Sequence, residues 1–229
     1  MTLFQRALNF FYKPYCRICE KQVGDFICTN CYLRLKRFEK LHVINFKESY
    51  SKIYGFNYEG KTRKLDGLIY LFEYEGYIRN LIIRFKFHGK FYLSKVFSKI
   101  ILKNEKLCGI LKFYDIICSV PMHKNKFKKR GYNQSQLLAE DLAKKLGLYY
   151  DKNIIIKTIN NEKQSSLSKE ERYENIKNVF KVKKTDKILN KKVILIDDIC
   201  TTSATLEECS KVLKEAGASK VIALVIAKD

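Results

Sequence analysis

Apolar positions along this chain recur with two different periods, and their alternation predicts strands interleaved with helices. Tyr114–Val120 (YDIICSV), Lys192–Ile196 (KVILI) and Lys220–Ala227 (KVIALVIA) are short, nearly continuous apolar runs, the pattern of strands covered on both faces. Gly76–Phe87, Tyr92–Leu102, Asn133–Leu146 and Ser203–Ala216 place apolar side chains at helical spacing, the last two closed by Gly147 and Gly217. Nearer the start, Tyr32–Lys40 reads as a short helix, and Ile53–Tyr58 and Gly67–Glu73 read as strands with a turn around Gly60. Ile154–Ile159 is a further predicted strand, followed by a polar insertion reaching about Asn178. This order implies an α/β fold, a parallel twisted sheet flanked by helices.

The 229 residues suffice for one ordinary domain and a small module. The shift in composition places the module at 1–50 and the domain at 51–229. No apolar run approaches the roughly 18 residues of a membrane span, and Met1–Tyr15 lacks the basic and apolar regions of an export signal. A cytoplasmic protein without membrane insertion is therefore expected. The formal net charge of +21 favours polyanionic partners. A lysine-rich surface of no special purpose gives the same total, so the charge needs a location before it means anything.

Four of the eight cysteines stand in the spacing C-x2-C-x8-C-x2-C: Cys16, Cys19, Cys28 and Cys31. Two such pairs complete a tetrahedral Zn²⁺ site, and a closed four-thiolate set leaves no open position for substrate, so a structural zinc is expected. Two disulfides, the alternative, conflict with a cytoplasmic setting; a redox switch is a further one. Cys108, Cys118, Cys200 and Cys209 are scattered and read as buried thiols.

The run V-I-L-I-D-D-I-C-T-T-S-A-T-L carries the most chemistry. Asp197 and Asp198 are expected at the carboxyl end of a strand, where open α/β sheets bind ligands. Thr201, Thr202, Ser203, Ala204 and Thr205 lead into a helix N-terminus, whose free amides and dipole favour an anion. Adjacent carboxylates repel unless hydroxyls or a divalent cation share their charge; a sugar diol and a Mg²⁺ carried by a pyrophosphate would do both. The competing reading is a strand end followed by a helix cap. A Gly-Lys pair is missing, so this is no Walker-type loop.

Between Val120 and the next helix lies a basic loop in which Lys124, Lys126, Lys128, Lys129 and Arg130 are interleaved with Phe127 and Tyr132. Cations mixed with rings suit single-stranded nucleic acid, and equally a pyrophosphate or a plain solvated loop. Within the insertion, Ser168-x-x-Glu171 is a capping box opening a short helix with Arg172 and Asn175, either a lid or an ordinary surface excursion. His42, His88 and His123 offer no convincing general base.

The acidic run resembles the D-D-x-x-T-T-G-x-T signature of type I phosphoribosyltransferases. That resemblance implies that Asp197 and Asp198 hold ribose hydroxyls of phosphoribosyl diphosphate (PRPP) with its Mg²⁺, and that Thr201–Thr205 bind the 5′-phosphate. Ser203 occupies the usual glycine, a position where glycine would permit positive φ. Together with the cysteine module, R-G-Y-N-Q-S-Q, Gln164-x2-Leu167-x4-Arg172-x2-Asn175 and the Lys86-x2-Gly89 stretch, the run resembles the ComF family from about Tyr15 to Ala227. The family implies a type I phosphoribosyltransferase-like domain behind a zinc-finger-like N-terminus. It also implies a cytoplasmic role in DNA uptake during natural transformation, handling single-stranded DNA beside a helicase-like partner. Lys86, Lys128, Lys129, Arg130 and Arg172 are the expected contacts to pyrophosphate or DNA. An active phosphoribosyltransferase acting on an unidentified base or amine is the alternative, and a PRPP sensor without chemistry a third.

Overall fold

A computed structural model describes residues 15–23, 25–46, 63–159 and 176–229. The expected strand Ile53–Tyr58, the turn at Gly60, the capping box Ser168–Glu171, Arg172 and Asn175 lie outside these residues.

Eight strands and seven α-helices alternate through the described chain: α1 (Thr29–Phe38), β1 (His42–Asn45), β2 (Gly67–Glu73), α2 (Gly76–Phe87), α3 (Leu93–Lys103), α4 (Glu105–Leu111), β3 (Ile116–Ser119), α5 (Lys124–Arg130), α6 (Gln134–Leu146), β4 (Tyr149–Tyr150), β5 (Ile155–Lys157), β6 (Phe180–Val182), β7 (Lys192–Cys200), α7 (Ala204–Glu215) and β8 (Lys220–Lys228). The main sheet has the order β1-β2-β8-β7-β3-β4, parallel except for β1 at its edge. Successive residues of β7 and β8 point to opposite faces, as strand geometry requires. Ile194, Ile196, Ile222 and Leu224 join one apolar cluster with α2, α3 and α6. Val193, Leu195, Val221 and Ala223 join the other, beneath α7 and the β5–β6 pair. Two-sided burial explains why these strands read as unbroken apolar runs.

β1, α4 and β4 have no counterpart in the sequence reading, and three further differences bear on the site. The basic stretch after β3 is a helix, α5, rather than a loop. Lys and Arg are good helix formers, and Lys128, Lys129 and Arg130 fill the last turn, where cations offset the helix dipole. The helix stops at Gly131, whose φ of 81° is left-handed. Second, the strand predicted at Ile154–Ile159 is β5, and it lies outside the main sheet, paired antiparallel with β6. The unpredicted β6 forms because Val179 and Phe180 bury with Ile154 and Ile155 against Leu206 and Leu213 of α7. Third, β7 runs on to Cys200, because β8 continues its ladder as far as the Cys200–Lys228 pairing. Asp197 and Asp198 are thus inside a strand, with the turn beginning only at Thr201.

The cysteine-bearing stretch packs into the sheet domain's own core. Cys16, Ile18, Ile27, Cys31 and Leu35 share one buried cluster with Ile78, Leu81, Ile82 and Phe85 of α2. Residues 42–45, within the stretch read as a module, form the edge strand β1 on β2. This pairing demands a glycine at 67, where a Cβ would come within 2.8 Å of the Ile44 carbonyl oxygen. Among the described residues no helix is long and apolar enough to cross a membrane.

Candidate functional site

A cavity of about 970 Å³ opens where β3 and β7 end. Asp197, Asp198 and the Thr201–Thr205 turn line it, together with the cations Lys86, Lys126, Lys129 and Arg130. Lys157 of β5 also lines the cavity.

The acidic pair is held from several directions. Lys86 Nζ, at the end of α2, lies 2.8 Å from Asp198 Oδ1. Asp197 Oδ1 accepts from the Ser135 hydroxyl at 2.7 Å and from the Asp198 backbone amide at 2.9 Å. Ser135 reaches it because Asn133 caps α6, accepting from the Ser135 amide at 3.0 Å and donating to the Val120 carbonyl at 3.0 Å. Gln134 donates to the Phe85 carbonyl at 3.1 Å, which ties the start of α6 to the helix end that presents Lys86. Burial, then the Asp198 charge, push the Asp197 carboxyl up to about 6, against the pull of Lys86 and Ser135.

A carboxyl with a raised folded-state pKa binds its proton more tightly folded than unfolded. The stability this group contributes is therefore greatest below its ordinary value of 3.8 and is lost as pH rises from there to about 6. Cation or diol binding, which needs the carboxylate, gains over that same interval. Ligand affinity measured on either side of pH about 6 is expected to be higher on the alkaline side, and a flat profile would contradict this account.

At the turn, Ser203 adopts φ 62°, ψ −4°. The serine therefore keeps the left-handed conformation that a glycine takes without strain, at about 1–2 kcal/mol. Its hydroxyl lies 3.3 Å from the Cys200 thiol. Beyond it, α7 starts with no side-chain cap, leaving its first amides at the cavity. Ser203→Gly is expected to change unfolding free energy by less than about 1 kcal/mol, strain relief offsetting added chain entropy. Ser203→Val should cost about 2 kcal/mol, because a β-branched residue is poorly tolerated at positive φ. Urea unfolding of the two variants decides it: equal stabilities would show that the left-handed turn imposes no strain.

The other predicted residues fall into place unevenly. Lys86, Lys129 and Arg130 face the cavity; Lys128 is exposed on α5 and outside its lining; Arg172 lies beyond the described residues. Of the histidines, only His123 lines the cavity, and its ring caps α5 by accepting from the Asn125 amide at 3.2 Å. Ser135, Gln134 and Lys157 were not singled out by sequence, and Lys126 only as one of the basic cluster. Ser135 and Gln134 stand in the N-Q-S-Q stretch, which offered the only hint.

The four front cysteines converge elsewhere, their sulfurs within 4.8 Å of one another. Cys19 Sγ and Cys28 Sγ are 3.8 Å apart, the edge expected of a tetrahedron with metal–sulfur bonds of about 2.3 Å. Cys28 also caps α1, accepting from the Cys31 amide at 3.4 Å. Burial opposes ionisation of Cys16, but hydrogen bonds from backbone groups of Cys19, Cys28 and Ile18 outweigh it and bring the thiol down to about 6. The set fits a metal such as zinc. All eight cysteines are unbridged.

Residues 133–229 match the phosphoribosyl transferase domain family. The chain thus joins a mixed α/β fold with a mostly parallel sheet, a stretch similar to phosphoribosyl transferase domains and a four-cysteine cluster near its N-terminus. Across 199 residues the chain is 27% identical to Competence protein F of Haemophilus influenzae, spanning 85% of this chain and 87% of that protein. It is 28% identical over 158 residues to DNA utilization protein YhgH of Escherichia coli, covering 67% and 68%. Competence protein ComFC of Streptococcus pneumoniae is 30% identical over 152 residues, covering 66% and 63%. Over most of its length the chain is thus similar to proteins named for competence and for DNA utilization.

Proposed function

We propose that this protein acts in the cytoplasm in DNA uptake, binds single-stranded DNA, and holds Mg²⁺–PRPP in the cavity. The observation that carries the reading is one cavity lined by an acidic pair, an uncapped helix start and four cations. Asp197 and Asp198 would take the ribose hydroxyls, and Thr201–Thr205 the 5′-phosphate. Mg²⁺ would supply charge neutralisation for the pyrophosphate. Lys86, Lys126, Lys129 and Arg130 would take pyrophosphate or strand phosphates, and Arg172 and Lys128 are candidates to extend that set. Cys16, Cys19, Cys28 and Cys31 would hold a structural zinc. The DNA role draws on relatives named for competence and DNA utilization, and a DNA-uptake helicase is the partner class the family implies.

Calorimetric titration of Mg²⁺–PRPP into folded, metal-loaded protein is expected to give saturable heat; none would remove the pocket from the reading. Oligonucleotide binding should fall steeply with salt as phosphate contacts release counterions, and salt-insensitive binding would remove the DNA part. An active phosphoribosyltransferase is the second reading, favoured by the intact acidic pair. It predicts pyrophosphate release with some base or amine, through positioning and charge stabilisation rather than a general base.

A further inference from the structure

Between the cavity and the four-cysteine segment, four aromatic rings and two cations form a set of close pairs. Phe87, which lines the cavity, lies under Arg130, the guanidinium 5.0 Å from its ring centre. Two residues on, Tyr132 stands 6.0 Å from Phe91, edge to face. Phe91 stands 5.7 Å from Tyr92, and Arg17 lies 5.1 Å over the Tyr92 ring. Arg17 sits between Cys16 and Cys19, so the set ends on the four-cysteine segment.

Two of these rings are conspicuously wet: Phe87 is 66% exposed and Phe91 56%. The set is nevertheless built. Tyr132 donates its hydroxyl to the Phe85 carbonyl, and Arg130 donates to Gln134 Oε1 at 2.8 Å, so both are pinned to the helix ends that frame the cavity. Lys128, Lys129 and Phe127, itself 44% exposed, add charge and a further ring on α5. The carboxylate at this end, Glu20, is already paired with Lys90 at 3.1 Å.

We infer that Phe87, Arg130, Tyr132, Phe91, Tyr92 and Arg17 form a stacking track that carries single-stranded DNA from the cavity mouth to the four-cysteine segment. This rests on the single-strand binding proposed above and gives it a place. Exposed rings interleaved with cations match a strand whose unpaired bases stack while its phosphates meet charge, and the match tolerates any sequence. A duplex keeps its base faces covered and would use only the cations.

The test compares oligo(dT) with an abasic strand of equal length by fluorescence anisotropy at low salt, using the full chain. Wild type should bind oligo(dT) more tightly, and Phe87→Leu with Phe91→Leu should weaken oligo(dT) binding about tenfold or more while leaving the abasic strand unaffected. Phe113→Leu, a ring 76% exposed just before β3 and hence at the strand end away from the cavity, should bind as wild type. The chain has no tryptophan, so Phe91→Trp gives a local reporter that oligo(dT) should quench and the abasic strand should not. Unchanged oligo(dT) binding by the double leucine variant, or no quenching, overturns the track while leaving strand binding in place. Binding of neither strand by wild type overturns both.

Discussion

Asp197→Asn combined with Asp198→Asn is expected to abolish Mg²⁺–PRPP binding while the chain stays folded. Each carboxylate would make charge-assisted hydrogen bonds worth about 1.5–3 kcal/mol, so losing both should weaken affinity by a factor on the order of 10³. Folding should survive because the amides keep the carboxylates' shape. The substitution also removes a like-charge pair whose repulsion helps raise Asp197 to about 6. Lys86 loses its partner at 2.8 Å but sits at the cavity rim, where water can solvate it. Strand binding at the aromatic set should hold or tighten, since two negative charges disappear beside the cavity's cations. Calorimetry with PRPP and anisotropy with oligo(dT), on one preparation, separate the two effects. Retained PRPP binding would show that the acidic pair does not hold the ligand.

Metal removal should be the most damaging change to the fold. Metal–thiolate binding is also folding free energy, on the order of 10 kcal/mol for a structural zinc. Cys16 and Cys31 are buried beside Ile18, Ile27 and Leu35 in the cluster that also holds α2. Chelation, or Cys28→Ser with Cys31→Ser, should therefore loosen α1 and then the Lys86 end of α2. Amide exchange should rise first in Thr29–Phe38, and PRPP affinity should fall although no cysteine of the cluster lines the cavity. A chain that releases its metal with unchanged exchange in α1 would refute this coupling.

What could be read from sequence follows physical lines. The runs KVILI and KVIALVIA announce central strands because a strand buried on both faces has no polar positions to break the pattern. The acidic turn was legible because two adjacent carboxylates at a strand end repel each other unless hydroxyls or a cation share their charge. By contrast, β6 is three residues long within a polar stretch, and only Phe180 packing under α7 makes it a strand. α5 carries cations without apolar periodicity, so its helix is set by capping at His123 and Gly131 rather than by a buried face. Ser135 is a small polar residue whose role exists only once α6 docks beside β7. Phe87 and Phe91 are far in sequence from Arg130 and Tyr132, and no local pattern joins them.

β8 lies in the middle of the sheet, between β2 and β7, although it follows every other described strand. The halves carrying Lys86 and the acidic pair therefore have no shared ladder until Lys220–Lys228 inserts between them. During synthesis Lys86 and the acidic pair are both made before this strand, and the half-sheets that carry them share a ladder only once it has arrived. Pairings of such long sequence separation are slow to form, and until then β2 and β7 present open edges of the kind that chaperones exist to shield.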